Sequence, residues 1–213
     1  VVGVWRHSQA RVRGMKRVQV EPHLSVTGAC SAQWVPIKPK TDAAFLYALI
    51  HVLLHEVPRE RLDLPFLARR TASAYLVGPN GYYLRDRATR KPLVFDATAG
   101  RARPHDSEGL DEALHAQVEV DAIEIGPDDE VLADGVLAGR TAFDALVAHM
   151  QPYSPEWAAG ICDVPADTMR GIAREYVEQA CVGQTIEIEG QRLPYRPVAV
   201  SLGKTVNNGW GGY

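Results

Sequence analysis

The sequence predicts an α/β fold, a Rossmann-like parallel sheet flanked by helices, with a β-hairpin inserted into it. Three observations carry that expectation. Two short alternating segments, Arg17 to Glu21 and Trp34 to Ile37, run directly into a long apolar stretch beginning at Asp42 or Ala43. A separate block around Pro79-Asn80-Gly81 alternates in the manner of a hairpin. Beyond residue 140 the texture is helical, and it closes on one more candidate strand, Val198 to Leu202. Composition agrees: 213 residues, 46% hydrophobic and 23% charged, give one globular domain or one large piece of a bigger protein, and exclude disorder, collagen and coiled coil.

The first helix is expected through Arg6 to Arg13, with Gly14 as a C-cap. Val18 and Val20 then alternate as in a strand, and Pro22 stops it. From Asp42 or Ala43 to about Glu56 almost every position is apolar or aromatic, which predicts a helix buried on most sides and ended by Pro58. The alternating YLV and YYL segments form a hairpin across a turn that tolerates positive φ, and Pro92 to Phe95 adds a third strand. The acidic run Asp106 to Asp134 reads as a surface connection. Thr141 caps a helix to Met150, Ser154-Pro155-Glu156 opens another, and Pro165 begins a third that reaches about Ala180. The chain then turns through Gly190 before the last candidate strand. These elements divide into residues 1–73 as the first part of an α/β domain, 74–127 as a hairpin and loop insertion, and 128–213 as the helices and strand that complete the domain.

Charge and cysteine content narrow the chemistry. Twenty-three basic residues against 26 acidic ones leave a net charge of -3 with no basic stripe, so no nucleic-acid partner is indicated. Cys30, Cys162 and Cys181 are too few and too scattered for a disulfide framework or a metal knuckle, and are expected to be free and mostly buried. The longest apolar run, Phe45 to Leu54, is about half a bilayer span, so no direct membrane insertion is expected. The chain opens on VVGVW and closes on NNGWGGY, and both ends read as cut from a larger multidomain protein. Its compartment is left open.

Two loops stand out as candidate ligand sites. In KPKTD, Thr41 or Asp42 caps the apolar helix, whose first-turn N–H groups would suit a phosphate, with Lys38 and Lys40 adding charge. The plainer alternative is that the pair is only a cap. In EPHLS, Glu21 ends a strand, where an acid can accept hydrogen bonds from a ribose or a guanine edge, or simply form the turn. The histidines of HVLLHE share a helix face but lack the HExxH order and a third ligand, so no metal is assigned. No nucleophile elbow, P-loop or dinucleotide fingerprint is present, and no catalytic residue is assigned.

The stretch RVRGMKRVQVEPHLSVTGACSAQWVPIKPKTDAAFLYALIHVLLHE resembles the segment of molybdopterin oxidoreductases of the dimethyl sulfoxide reductase family that usually reads ARxRGxKxxxVDPRxSxTAxxADxWxPIxPGTDxAxxxAxxHVxxxE. YSPEWAAGICDVPADTMRGIAREY is similar to that family's YTPEWAAxITGVPAxTIRxxAREF, and LPYRPVAVSLGKTVNNGWGGY looks like the strand and loop before its next helix. The hairpin YLVGPNGYYLRD resembles the branch that includes thiosulfate, polysulfide and arsenic reductases and phenylacetyl-CoA oxidoreductases. This chain departs from the pattern at Glu21, where aspartate is usual, at His23 for arginine, and at Lys40 for glycine.

The resemblance implies an internal segment of a catalytic subunit that holds one nucleotide end of a bis-molybdopterin guanine dinucleotide carrying molybdenum or tungsten. By position in the motif, Glu21, Pro22, His23, Ser25, Lys40, Thr41 and Asp42 would contact the nucleotide, and Leu202, Gly203 and Asn207 fall near a third contacting loop. It further implies a 4Fe-4S cluster bound outside this segment. The partners it implies are the rest of the same catalytic polypeptide and an iron–sulfur electron-transfer subunit. The segment alone would be inactive. Two rivals from other classes are a stand-alone nucleotide-binding or scaffold domain without redox activity, and a subunit-docking module built on the hairpin.

Overall fold

The computed structural model describes residues 2–202. Gly203 and Asn207 therefore lie outside the described residues. The chain forms two compact units: residues 1–53, 152–179 and 197–213 make one, and residues 54–151 and 180–196 the other.

In the first unit, helix α1 spans Val2–Val12, strand β1 Val18–Val20, the single turn α2 Val26–Ala29, strand β2 Gln33–Val35, and helix α3 Asp42–His51. β1 and β2 pair in parallel, with Val18 opposite Gln33 and Val20 opposite Val35. Among the described residues this is the only parallel pair. The wider parallel sheet expected from the sequence is thus corrected to one two-stranded ribbon, and the other ladders are antiparallel. Helices α6 (Pro155–Cys162) and α7 (Ala166–Gln179) return to this unit and pack on α3. Val35 and Ile37 from the strand side, Ala44, Phe45 and Ala48 from α3, and Cys162 and Met169 from the returning helices form one buried cluster. Ser154 caps α6 by accepting from the Trp157 N–H, with Pro155 in the first turn where its missing N–H costs nothing.

α3 does not stop at Pro58 as a uniform α-helix. Residues Val52–Glu56 continue it as a π-helical turn, and His55 Nε2 lies 3.0 Å from the Val147 carbonyl. That turn leads into the second unit, which holds α4 (Leu64–Arg70), strands β3 (Leu76–Val77), β4 (Leu84–Arg85), β5 (Leu93–Asp96), β6 (Arg101–Pro104), β7 (Gln117–Ile125) and β8 (Val131–Thr141), helix α5 (Ala142–Met150), and the hairpin β9 (Thr185–Ile188) with β10 (Gln191–Pro194). Strands β3, β8, β7 and β4 lie in that order. A further bridge, Val77 to Tyr83, joins the outer strands, so the sheet curls until its two edges meet, which leaves little unpaired edge. Leu76, Leu84, Leu93 and Ala122 fill its interior.

Two further expectations are corrected here. The acidic run Asp106 to Asp134 is not a surface connection: it contributes all of β7 and the start of β8, the longest ladder among the described residues. Its acids are mostly exposed, while Ala122, Ile123, Glu124 and Ile125 are buried. Residues Val198 to Leu202 form no strand, because no described strand pairs with them; the turn through Gly190 instead joins β9 to β10. Of the cysteines, Cys162 is buried, Cys181 half-buried and Cys30 exposed.

Candidate functional site: two loops at one strand edge

Parallel pairing decides where the candidate loops go. Because β1 and β2 run the same way in register, the chain leaves both at the same end, so the segments Glu21–Ser25 and Pro36–Asp42 start from a common edge. The Glu21 N–H donates to the Val35 carbonyl at 3.2 Å, and the Trp34 indole N–H donates to the Glu21 carbonyl at 3.3 Å, which fastens the first loop to the second strand.

Glu21 is held by its own loop. Oε1 accepts from the Ser25 N–H at 2.9 Å and from Ser25 Oγ at 2.7 Å, and Oε2 accepts from Gln19 Nε2 at 3.2 Å. Ser25 Oγ in turn accepts from the Gly28 N–H at 3.1 Å and so caps the single turn α2. Gly28 leaves room for the Glu21 carboxylate, which a Cβ at this position would push aside. These hydrogen bonds, the Ser25 side chain first and its N–H next, hold the Glu21 carboxyl below its ordinary value of 4.5. Linkage gives the sign: a depressed folded value stabilises the loop above the unfolded value, and that contribution is lost as pH falls through the folded one. Ser25 Oγ also lies 3.0 Å from Oε2, so each oxygen of the carboxylate has two donor contacts within its own loop. Pro22 and His23 are exposed beside it.

The second loop enters α3. Thr41 is the N-cap residue, yet its hydroxyl donates backwards to the Lys38 carbonyl at 2.6 Å and caps no helical N–H. The first-turn N–H groups of α3 are therefore left without a side-chain cap, next to exposed Lys38 and Lys40. Asp42 sits half-buried at the first helical position. The Lys38 N–H donates to the Cys162 carbonyl at 3.0 Å, which ties the loop to the end of α6.

Lys40 adopts φ 66°, in the left-handed region that favours glycine. The motif that this stretch resembles has glycine at this place, as such a backbone favours. Lys40→Gly should relieve about 1–2 kcal/mol of left-handed strain against roughly 0.5–1 kcal/mol of added chain entropy, a net gain of about 0.5–1 kcal/mol. A rise in the urea midpoint at unchanged slope checks it, and a fall would show that the lysine side chain stabilises the loop.

Of the remaining sequence candidates, Leu202 is exposed on the irregular stretch after β10. Sequence reasoning missed Gln19, Gly28 and Trp34, which build the Glu21 loop. Only Gln19 left a signal, two residues before Glu21 on the same strand face. Among the described residues no group of three or more His, Cys, Asp or Glu could hold a metal, and no helix is long and apolar enough to cross a membrane.

Comparison with known proteins adds what geometry cannot. Over 178 residues, 79% of this chain, the sequence is 30% identical to a subunit of the sulfite dehydrogenase of Allochromatium vinosum. The chain is homologous to part of an oxidoreductase subunit. It is also 28% identical over 195 residues to the alpha subunit of the perchlorate reductase of Dechloromonas aromatica. The chain spans only 17% of the first relative and 21% of the second. No family model matches it.

Proposed function

We propose that this chain is the part of a molybdopterin-dependent oxidoreductase catalytic subunit that anchors the guanosine end of a bis-molybdopterin guanine dinucleotide. The observation that carries the reading is the common exit of the Glu21–Ser25 and Lys38–Asp42 loops from the β1–β2 edge. The similarity to sulfite dehydrogenase and perchlorate reductase subunits supports the redox class.

The residues fit such a group. Glu21 is held ionised by its own loop at the end of β1, where a carboxylate suits guanine or ribose donors. The uncapped start of α3, with Lys38 and Lys40 beside it, suits a pyrophosphate through N–H groups and helix dipole. Ser25 fixes the carboxylate before any ligand arrives, so little ordering is left to be done on binding. When bound, the metal of the cofactor supplies the redox chemistry, and this chain's residues hold and orient its far end. The iron–sulfur cluster, an electron-transfer partner and the remaining part of the catalytic polypeptide belong to the same proposal and lie outside these residues.

The test uses the full-length protein. Molybdenum or tungsten should copurify with it, and acid treatment should release GMP. Glu21→Ala combined with Asp42→Asn should lower retained metal and GMP by about tenfold or more after dialysis, since charge-assisted hydrogen bonds are lost at both loops. Wild-type protein with guanine nucleotide and no metal would favour a nucleotide-binding domain without redox activity. Full cofactor retention in the double variant would overturn the placement.

A further inference from the structure

The second unit carries a cleft that the reading above does not use. It has a volume of about 500 Å³ and is lined by Arg69 and Arg70 from the last turn of α4, Tyr75 just before β3, Val94 of β5, and His105 and Glu112. That volume lies in the range of small-molecule sites.

Three features of the lining point to one ligand chemistry. Neither Arg69 nor Arg70, both exposed at the end of α4, forms an ion pair among the described residues. His105 Nδ1 is buried with no hydrogen-bond partner in the protein, and a buried ring nitrogen left so is costly. The His105 ring packs edge-on against Tyr75 with centroids 5.4 Å apart. Tyr75 is held a second time by Tyr83, at 5.2 Å. Burial, with the neighbouring Tyr83 and Asp106, pushes the Tyr75 phenol up, so it remains an O–H donor at neutral pH. Against these donors the cleft sets one acid, Glu112, and the apolar side chain of Val94.

We propose that this cleft binds a small organic anion, with its carboxylate or phosphate on Arg69 and Arg70, a hydrogen bond to His105, and its carbon body over Val94. Two guanidinium groups outweigh the single Glu112 carboxylate, and a fork of N–H donors matches a planar or tetrahedral oxyanion. A bare oxyanion leaves most of the volume unfilled, so an anion with an organic body is the better fit. The proposal is independent of the nucleotide reading, because every residue belongs to the second unit.

Calorimetric titration of the full-length protein with sodium benzoate, sodium sulfate and neutral benzamide tests it, with ionic strength held constant by chloride. Benzoate should bind saturably and more tightly than sulfate, and benzamide should give no saturable heat. Arg69→Gln with Arg70→Gln, both exposed and so compatible with folding, should weaken benzoate by about tenfold or more. His105→Leu should weaken it as well. Absence of saturable benzoate binding, equal binding of benzamide, or full affinity in the arginine double variant would each overturn the proposal.

Discussion

Glu124→Ala is expected to destabilise the protein by about 3–5 kcal/mol, through loss of a buried carboxylate that accepts from three donors and the unpaired donors it leaves behind. Glu124 is 0% exposed. One of its oxygens accepts from the Asn80 N–H at 3.0 Å and the Tyr82 N–H at 2.9 Å, and the other accepts from Asn80 Nδ2 at 2.9 Å. These donors belong to the turn Gly78–Tyr82, so one strand residue of β7 closes the hairpin between β3 and β4 from inside the curled sheet. Alanine removes the acceptor, leaves two backbone N–H groups without their partner, and opens a void. Glu124→Gln keeps one acceptor oxygen but turns an NH₂ toward donors, so about 1.5–3 kcal/mol is expected for it. Urea unfolding of both variants measures the difference; a loss under about 1 kcal/mol for alanine would show that the turn is held by its backbone alone. The same crowding favours glycine at Gly78, since a Cβ there would stand 2.7 Å from both the Glu124 carboxyl carbon and Leu84 Cδ2, and one of these buried side chains would have to shift.

This carboxylate marks where the sequence misleads. Val118, Val120 and Ala122 alternate with Glu119 and Asp121, which is a strand pattern, yet the density of acids made the whole stretch read as a solvated connection. The alternation breaks at Ala122 to Ile125, where four successive residues are buried and the ladder shifts register between Glu124 and Ile125. Glu124 falls on the same strand face as Val118, Val120 and Ala122, and what lets an acid sit there is the set of donors from Asn80 and Tyr82, which only the folded turn brings to it. By contrast, β1, β2 and the start of α3 were legible, because Val18 and Val20, Trp34 to Ile37 and the apolar run after Asp42 each satisfy a local rule. The turn α2 was not legible. Val26-Thr27-Gly28-Ala29 has poor helical propensity, and it exists because Ser25 caps it while holding Glu21. The expectation of a wide parallel sheet failed for a related reason. One strand-loop-strand-helix unit is a local signal, whereas the number of strands that join it depends on segments far away in sequence.

Phe45→Ala is the second large effect, and it connects the core to the candidate site. Phe45 is 4% exposed, lies in the first turn of α3, and packs in the cluster formed with Val35, Ile37, Ala158 and Met169. Truncating a core phenylalanine costs about 3–5 kcal/mol, from lost transfer free energy and the cavity left behind. Phe45→Leu keeps most of the volume and should cost less than about 1.5 kcal/mol. The Phe45 N–H donates to the Thr41 carbonyl at 3.3 Å, so the ring under this turn fixes the position of the loop Lys38–Asp42 that precedes it. No polar group is removed by either variant. If the uncapped start of α3 holds a pyrophosphate, retention of metal and GMP in the full-length protein should fall in Phe45→Ala and survive in Phe45→Leu, in step with their unfolding midpoints. Equal retention in the two, with Phe45→Ala still folded by circular dichroism, would mean that the nucleotide does not depend on where α3 begins, and the anchoring loop would have to be sought elsewhere in the chain.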